Sequence, residues 1–320
     1  MRINRRLLYW GIFLVAIGGV LVAADVGRAD SGSIANGLRL WPVALVAIGV
    51  GIVARRTRFS LPGGMLAAAL PGLLIGGSFA IVPRIAADCG SNGAVATVAA
   101  HDGVFDGPAR VAVTTGCGAI DVTTAPGGAW HFDDGITSNR AALVEATSRS
   151  LSIDSGRTDG LTFDGIGRDE WHLTLPTAPI DDLSFVVNAG RGRIGLPGAK
   201  VGRLAVTSNA AETTVDLSET ALTSLAADVN AGRVTFRLAS TADIVGSMDV
   251  NLADLEVCAP SELGVRIHHT GALSGFAVDG RQQPGADWQS PNYTSAAHRA
   301  DLTVDVHLGN VAINPIGGCK

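Results

Sequence analysis

The side chains in this chain that could move protons come as adjacent pairs: Asp133-Asp134, Asp169-Glu170, Asp181-Asp182 and His268-His269. A hydrolase working on a polymer needs two carboxyls, or a carboxyl and an imidazole, converging on one bond. Neighbours in a strand point to opposite faces, and neighbours in a turn are solvated, so no pair here is expected to act as a catalytic dyad. The histidine pair could hold zinc or report pH, but its expected setting is an exposed strand or turn. The sequence has no phosphate loop, nucleophile elbow or HExxH helix, and no Cys-x-x-Cys spacing. It therefore assigns no catalytic, cofactor or metal-binding residue, and the chain is not expected to be an enzyme. A carbohydrate-active enzyme would require Asp133, Asp134, Asp181 and Asp182 to cluster in the fold.

What must position these residues is a repeat. Asn188, Asn209, Asn230 and Asn251 are spaced 21 apart, and the apolar residues around them keep phase. Five residues before successive asparagines stand Leu183, Leu204 and Leu225; six after stand Ile194, Val215, Phe236 and Val257. Alternation within a longer period means strands that each hide one face, wound coil upon coil into a β-solenoid. Asparagine tolerates the backbone of a tight bend, and stacked amides can donate to one neighbour and accept from the other. These four residues are expected to form a structural turn ladder. Weaker copies at Leu173–Pro176 and around Val265, Ile267 and Gly271 suggest blurred ends. The polar stretch containing Trp288 and Tyr293 breaks the repeat. It is either a partner-contact loop or a plug over the open end of the stack, and the plug is favoured.

Residues 1–84 differ in composition. Apolar runs at about 7–24, 39–54 and 61–82 predict three transmembrane α-helices, joined to an all-β domain over 85–320. Arg2, Arg5 and Arg6, with Arg55, Arg56 and Arg58, place the amino terminus and second loop in the cytoplasm and the β domain outside it. A cleaved signal peptide is the rival reading of the first run. Against it, Trp10 and Trp41 are each followed, after three residues, by the same string LVAIG. The exported part carries 16 basic against 27 acidic residues, which disfavours nucleic acid as a partner. All four cysteines, Cys89, Cys117, Cys258 and Cys319, fall in this part, where disulfides persist. Three pairings are open; Cys89 with Cys319 would staple the ends of the domain. Cys258, between the inward positions Val257 and Ala259, is expected to point outward.

The duplicated tryptophan segments and the Arg55-Arg56-Thr57-Arg58 turn resemble the membrane region of LiaI- and LiaF-like bacterial proteins. The asparagine and glycine bends, the Trp288 to Tyr293 segment and the closing Val304 to Ile313 strand resemble the toastrack β-solenoid domain of the adhesin type. The resemblance implies a multi-pass cell-envelope protein. Its partners would be the bilayer and a membrane protein such as a sensor kinase or transporter; no cofactor and no catalytic residue carry over. Sensing or scaffolding outside the cytoplasm is the leading expectation, and a surface adhesion or structural module the alternative.

Overall fold

The structure, a computed structural model, describes residues 97–136, 141–155, 169–271, 273–283, 285, 287–317 and 319, together with 10–12, 14–16, 19, 69 and 70. The chain divides into two compact units, Met1–Ile85 and Ala86–Lys320. In the first, the described residues are helical, but no helix among the described residues is long and apolar enough to cross a membrane. This overturns the expected three transmembrane helices and argues against the multi-pass topology; the rest of 7–24, 39–54 and 61–82 lies outside the described residues. Apolar length marks a crossing only when one continuous helix carries it. In sequence the first run holds Gly18-Gly19 and the third holds Gly63-Gly64, Gly76-Gly77, Pro62 and Pro71, residue types that apolar length alone does not weigh.

The second unit is β. Its strands in chain order are β1 (Thr97–Val104), β2 (Ala109–Ala125), β3 (Ala129–Ile136), β4 (Leu143–Thr147), β5 (Ser150–Asp154), β6 (Asp169–Pro176), β7 (Ile180–Gly195), β8 (Lys200–Asp216), β9 (Ala221–Arg237) and β10 (Ile244–Cys258), then β11 (Gly264–Thr270), β12 (Leu273–Val278), β13 (Arg281–Gln282), β14 (Asp287–Gln289) and β15 (Arg299–Ile313). β7, β8, β9 and β10 pair in parallel, with Leu183 beside Leu204 and Leu204 beside Leu225. The 21-residue sequence period is thus the physical offset between stacked coils. Alternate residues point inward, and Leu183, Phe185, Val187, Ile194, Val215, Phe236, Leu255 and Val257 are all buried in one continuous core.

The blurred ends of the repeat have a topological cause. The Leu173 segment does not lie against β7; β2 separates them, with Val122 paired to Leu173 on one side and Ile194 on the other. At the far end β15 comes last in the chain yet lies between β10 and the coil made by β11 and β12. A sequence segment has slid in one coil from each end, so the period fails where the stacking does not. Antiparallel strands then cover both terminal coils: β4 on β5 and β3 on β6 at one end, β13 on β12 and β14 on β11 at the other. A parallel stack otherwise ends in unpaired backbone, and short antiparallel covers blunt that hazard.

Each long strand bends at its middle, where successive coils nearly touch. Gly190, Gly232 and Gly309 adopt φ of 114°, 104° and 157°. A Cβ on Gly232 would stand 2.2 Å from the Ala211 carbonyl oxygen, and one on Gly309 2.0 Å from that of Ala253. Across the stack the bend reads Gly190, Ala211, Gly232, Ala253, Gly309. From β8 to β15 glycine alternates with alanine, because Gly232 and Gly309 lean onto carbonyls that Ala211 and Ala253 present; at β2 and β7 two glycines, Gly118 and Gly190, are neighbours. Gly232→Ala is therefore expected to cost on the order of 1–3 kcal/mol, whereas Ala253→Gly should cost about 0.5–1 kcal/mol. Urea midpoints of the two variants measure the difference.

Candidate functional site

Beside these bends the four asparagines form one directional chain. Asn188 Nδ2 donates to the Thr115 carbonyl at 2.8 Å, Asn209 Nδ2 to Asn188 Oδ1 at 2.6 Å, Asn230 Nδ2 to Asn209 Oδ1 at 2.7 Å, and Asn251 Nδ2 to Asn230 Oδ1 at 2.7 Å. All four are partly buried. Every internal amide both donates and accepts, which satisfies polar groups at a corner where water has limited access and lets the bonds polarise one another. The ladder ties coil to coil; it presents no reactive group.

The carboxylates do not converge. Asp134 is buried on β3, where it accepts from Trp171 Nε1 at 2.9 Å and from the Ala142 backbone N–H at 2.5 Å. Asp133 points the other way, 3.1 Å from His131 Nε2, while His131 Nδ1 lies 2.6 Å from Asp102. The hydrogen bond with Asp102 is the main reason that the His131 imidazole is held above its ordinary pKa, with Asp133 adding to it. Asp181 and Asp182 are exposed at the start of β7, on the other arm of the coil. Asp169 accepts from the Gly116 N–H at 2.9 Å, whereas Glu170 turns away. Among the described residues no group of three His, Cys, Asp or Glu side chains is arranged to hold a metal ion.

Trp288 and Tyr293 are both engaged within the chain. Trp288 on β14 stands opposite Ile267 of β11 and packs against the core. Tyr293 lies beneath Arg266, whose guanidinium carbon is 4.8 Å from the ring centre, and donates its hydroxyl to Asp301 at 2.7 Å. That hydrogen bond is the leading reason that its phenol is raised above the usual range. β14 pairs with β11 over three residues at the edge of the sheet.

The cysteines pair differently from the expected staple. Cys319 is joined to Cys258 (S–S 2.02 Å), not to Cys89, which lies outside the described residues; Cys117 is also disulfide-bonded. Cys258 sits on the outward side of β10, and its bond to the chain end locks β15 against β10.

What sequence reading missed is the outer face of the first arms. There Ala112, Ser184, Ala205, Ala226, Ser247 and Thr303 lie in register across six strands. In the adjoining row Asp228, Asp249 and Asp305 are neighbours on successive strands. The signal was present as position −4 and −2 from each asparagine, but outward residues carry no burial pattern to make it stand out. The opposite outer face is a charge network: Arg193 with Asp121 at 3.7 Å, Arg233 with Asp254 and Glu256 at 3.7 Å each, and Arg237 with Asp216 at 3.5 Å.

A family model described as the N-terminal domain of toast_rack, DUF2154, matches residues 109–237, from the start of β2 to the end of β9. This β unit carries a toastrack-type domain. Among solved structures the chain is similar to a proposed cell adhesion protein of Clostridium sporogenes ATCC 15579 (12% identity, 68% of this chain and 100% of that one, TM-score 0.41). It is also similar to a proposed adhesin, BF0245, of Bacteroides fragilis NCTC 9343 (10% identity, 68% and 97%, TM-score 0.26). Likeness at these scores carries no functional argument. No curated protein matches.

Removing one rung of the toastrack ladder strands two groups. Asn230→Ala leaves Asn209 Oδ1 without its donor and Asn251 Nδ2 without its acceptor, an expected loss of about 1–3 kcal/mol in urea unfolding. Replacing Cys258 and Cys319 together by serine opens a closure of sequence separation 61, expected to cost up to about 4 kcal/mol in the chain-entropy account; calorimetry of oxidised wild type against the double variant measures it.

Proposed function

We propose that this chain is a non-catalytic binding scaffold that works outside the cytoplasm, with the first-arm outer face as its contact surface. The observation that carries the reading is that face. Six strands present one low row of alanine, serine and threonine, flanked on three of them by Asp228, Asp249 and Asp305, on a backbone fixed coil by coil. Small side chains let another surface approach without first ordering long, flexible groups, so less entropy is lost on contact. The opposite face is less suited, because long side chains stand on it, Arg193, Arg233 and Arg237 among them, each beside a carboxylate. The Cys258–Cys319 bond supports an oxidising compartment, since such bonds persist there and are rare in the cytosol. The adhesin-type surface module is the coarser form of this reading. The finer form is a scaffold that senses envelope state and passes it to a membrane partner such as a sensor kinase or transporter.

The test is co-sedimentation of the full chain with isolated cell envelopes, followed by crosslinking. Wild type is expected to sediment, Ala226→Arg to lose at least about tenfold in affinity by placing a long cation in the contact row, and Thr214→Arg on the other face to behave as wild type. Equal loss in both variants, or no sedimentation by wild type, contradicts the proposal. Recovery of a kinase or transporter in the crosslinked fraction supports the finer form, and recovery of wall material alone supports the adhesive one.

A further inference from the structure

Charge near the far end of the stack is local: His268 faces Asp287 across β11 and β14, while its neighbour His269 is turned into the core. Along the middle of the stack charge forms a pattern. After the bend, on the second arms, the outward residues of β7, β8, β9 and β10 stand in rows. One row holds Arg191, Glu212, Arg233 and Asp254 in strand order; the next, two residues further along each strand, holds Arg193, Thr214, Thr235 and Glu256. The first row alternates plus, minus, plus, minus, and the second is plus at one end and minus at the other.

Taken in reverse order, each row is its own complement. A two-fold axis lying along the strands between β8 and β9 makes that reversal, since it sets β8 of one copy against β9 of another and β7 against β10. Glu212 then meets Arg233 of the second copy, Arg191 meets its Asp254, and Arg193 meets its Glu256, each contact occurring twice. Thr214 meets Thr235, and no like charges are opposed in the two rows. A two-fold axis along the stack would instead set each strand against itself, opposing Arg191 to Arg193 and Asp254 to Glu256. Charge alone selects between the two orientations.

We propose that two copies of this chain pair back to back through the second-arm outer faces of β7 to β10, about a two-fold axis between β8 and β9. Within one chain the charged groups of this face are loosely held. Arg193 lies 3.7 Å from Asp121, and Arg233 lies 3.7 Å from Asp254 and from Glu256, beyond the roughly 2.7–2.9 Å of a charge-assisted hydrogen bond. The two arginine side chains are 62% and 52% exposed, so these pairs contribute little by themselves. Ordering long side chains counts against this face for an arbitrary surface; matched charge offsets that cost, and a second copy carries the match. With about 4.8 Å between strands and about 3.3 Å per residue, the second arms of β2, β7 to β10 and β15 span roughly 600 Å² in flat projection, which the relief of long side chains raises towards the roughly 800 Å² per partner of a stable interface. Pairing on this face does not rest on the envelope contact proposed above. It leaves the first-arm row of both copies exposed, on opposite sides of the pair, so sedimentation with envelopes is a separate readout.

Size-exclusion chromatography with light scattering on the full chain, over a series of protein and salt concentrations, tests the pairing. Wild type is expected to reach twice the monomer mass as its concentration rises, with a dissociation constant that increases with salt. Glu212→Arg and Arg233→Glu each oppose like charges twice across the axis and should weaken pairing at least about tenfold. Mixed in equal amounts, the two variants should form a mixed dimer of near wild-type affinity, because every cation on one copy again meets an anion on the other. Damage confined to one chain cannot be repaired by mixing. The inference is overturned if wild type stays monomeric at every concentration, if either variant pairs as wild type does, or if the mixture remains unpaired.

Discussion

The structure depends on one crowded place, the bend that each long strand makes at its middle, which in β7 to β10 lies beside an asparagine. Coils can stack at β-sheet spacing only if the corner of one lies almost on the carbonyl of the next. Gly190 leans on Gly118, Gly232 on Ala211 and Gly309 on Ala253. Where the backbones meet this closely, water cannot serve the remaining polar groups, and the asparagine amides do so instead. The side-chain chain and the backbone contact are two aspects of one constraint: a shift of register by one residue would break both and turn every inward side chain outward.

From that constraint follow the properties that matter for function. Register held at the corner fixes which residues share an outer row, so the Ala-Ser-Thr row and the Asp228, Asp249, Asp305 row are consequences of the same spacing that aligns Leu183, Leu204 and Leu225. The two ends, where a strand from elsewhere in the chain is interleaved, are the places where the sequence stops repeating and where covers, a disulfide and buried titratable groups accumulate. A repetitive middle that presents a surface, with irregular ends that protect it, is the division of labour expected of a stacked array.

Some of this could be read from sequence and some could not, for physical reasons. Asn209 and Asn230 announced themselves because spacing and side-chain chemistry both demanded a partner 21 residues away. The position of β15 was hidden, because pairing across 35 or 56 residues leaves no periodic trace and resembles a slipped copy of the repeat. His269 was read with His268 as exposed, since alternation assigns the two opposite faces but does not say which is the core. Cys258, expected to face outward, is buried at 8% exposure, and its partner depended on how the chain after β15 returned. The apolar runs before residue 84 were read as membrane helices from length and composition alone, whereas a crossing needs one continuous apolar helix, and none is found among the described residues.

The central claim is that amide-to-amide bonding at the corner ties each coil to the next. Side-chain amide exchange of Asn209, Asn230 and Asn251, followed by nuclear magnetic resonance, tests it most directly. The account predicts that these three NH2 groups exchange slowly and with similar protection, as members of one bonded chain inside a closed corner. Exchange at the rate of a free asparagine amide for Asn230, flanked on both sides by the other rungs, would contradict it.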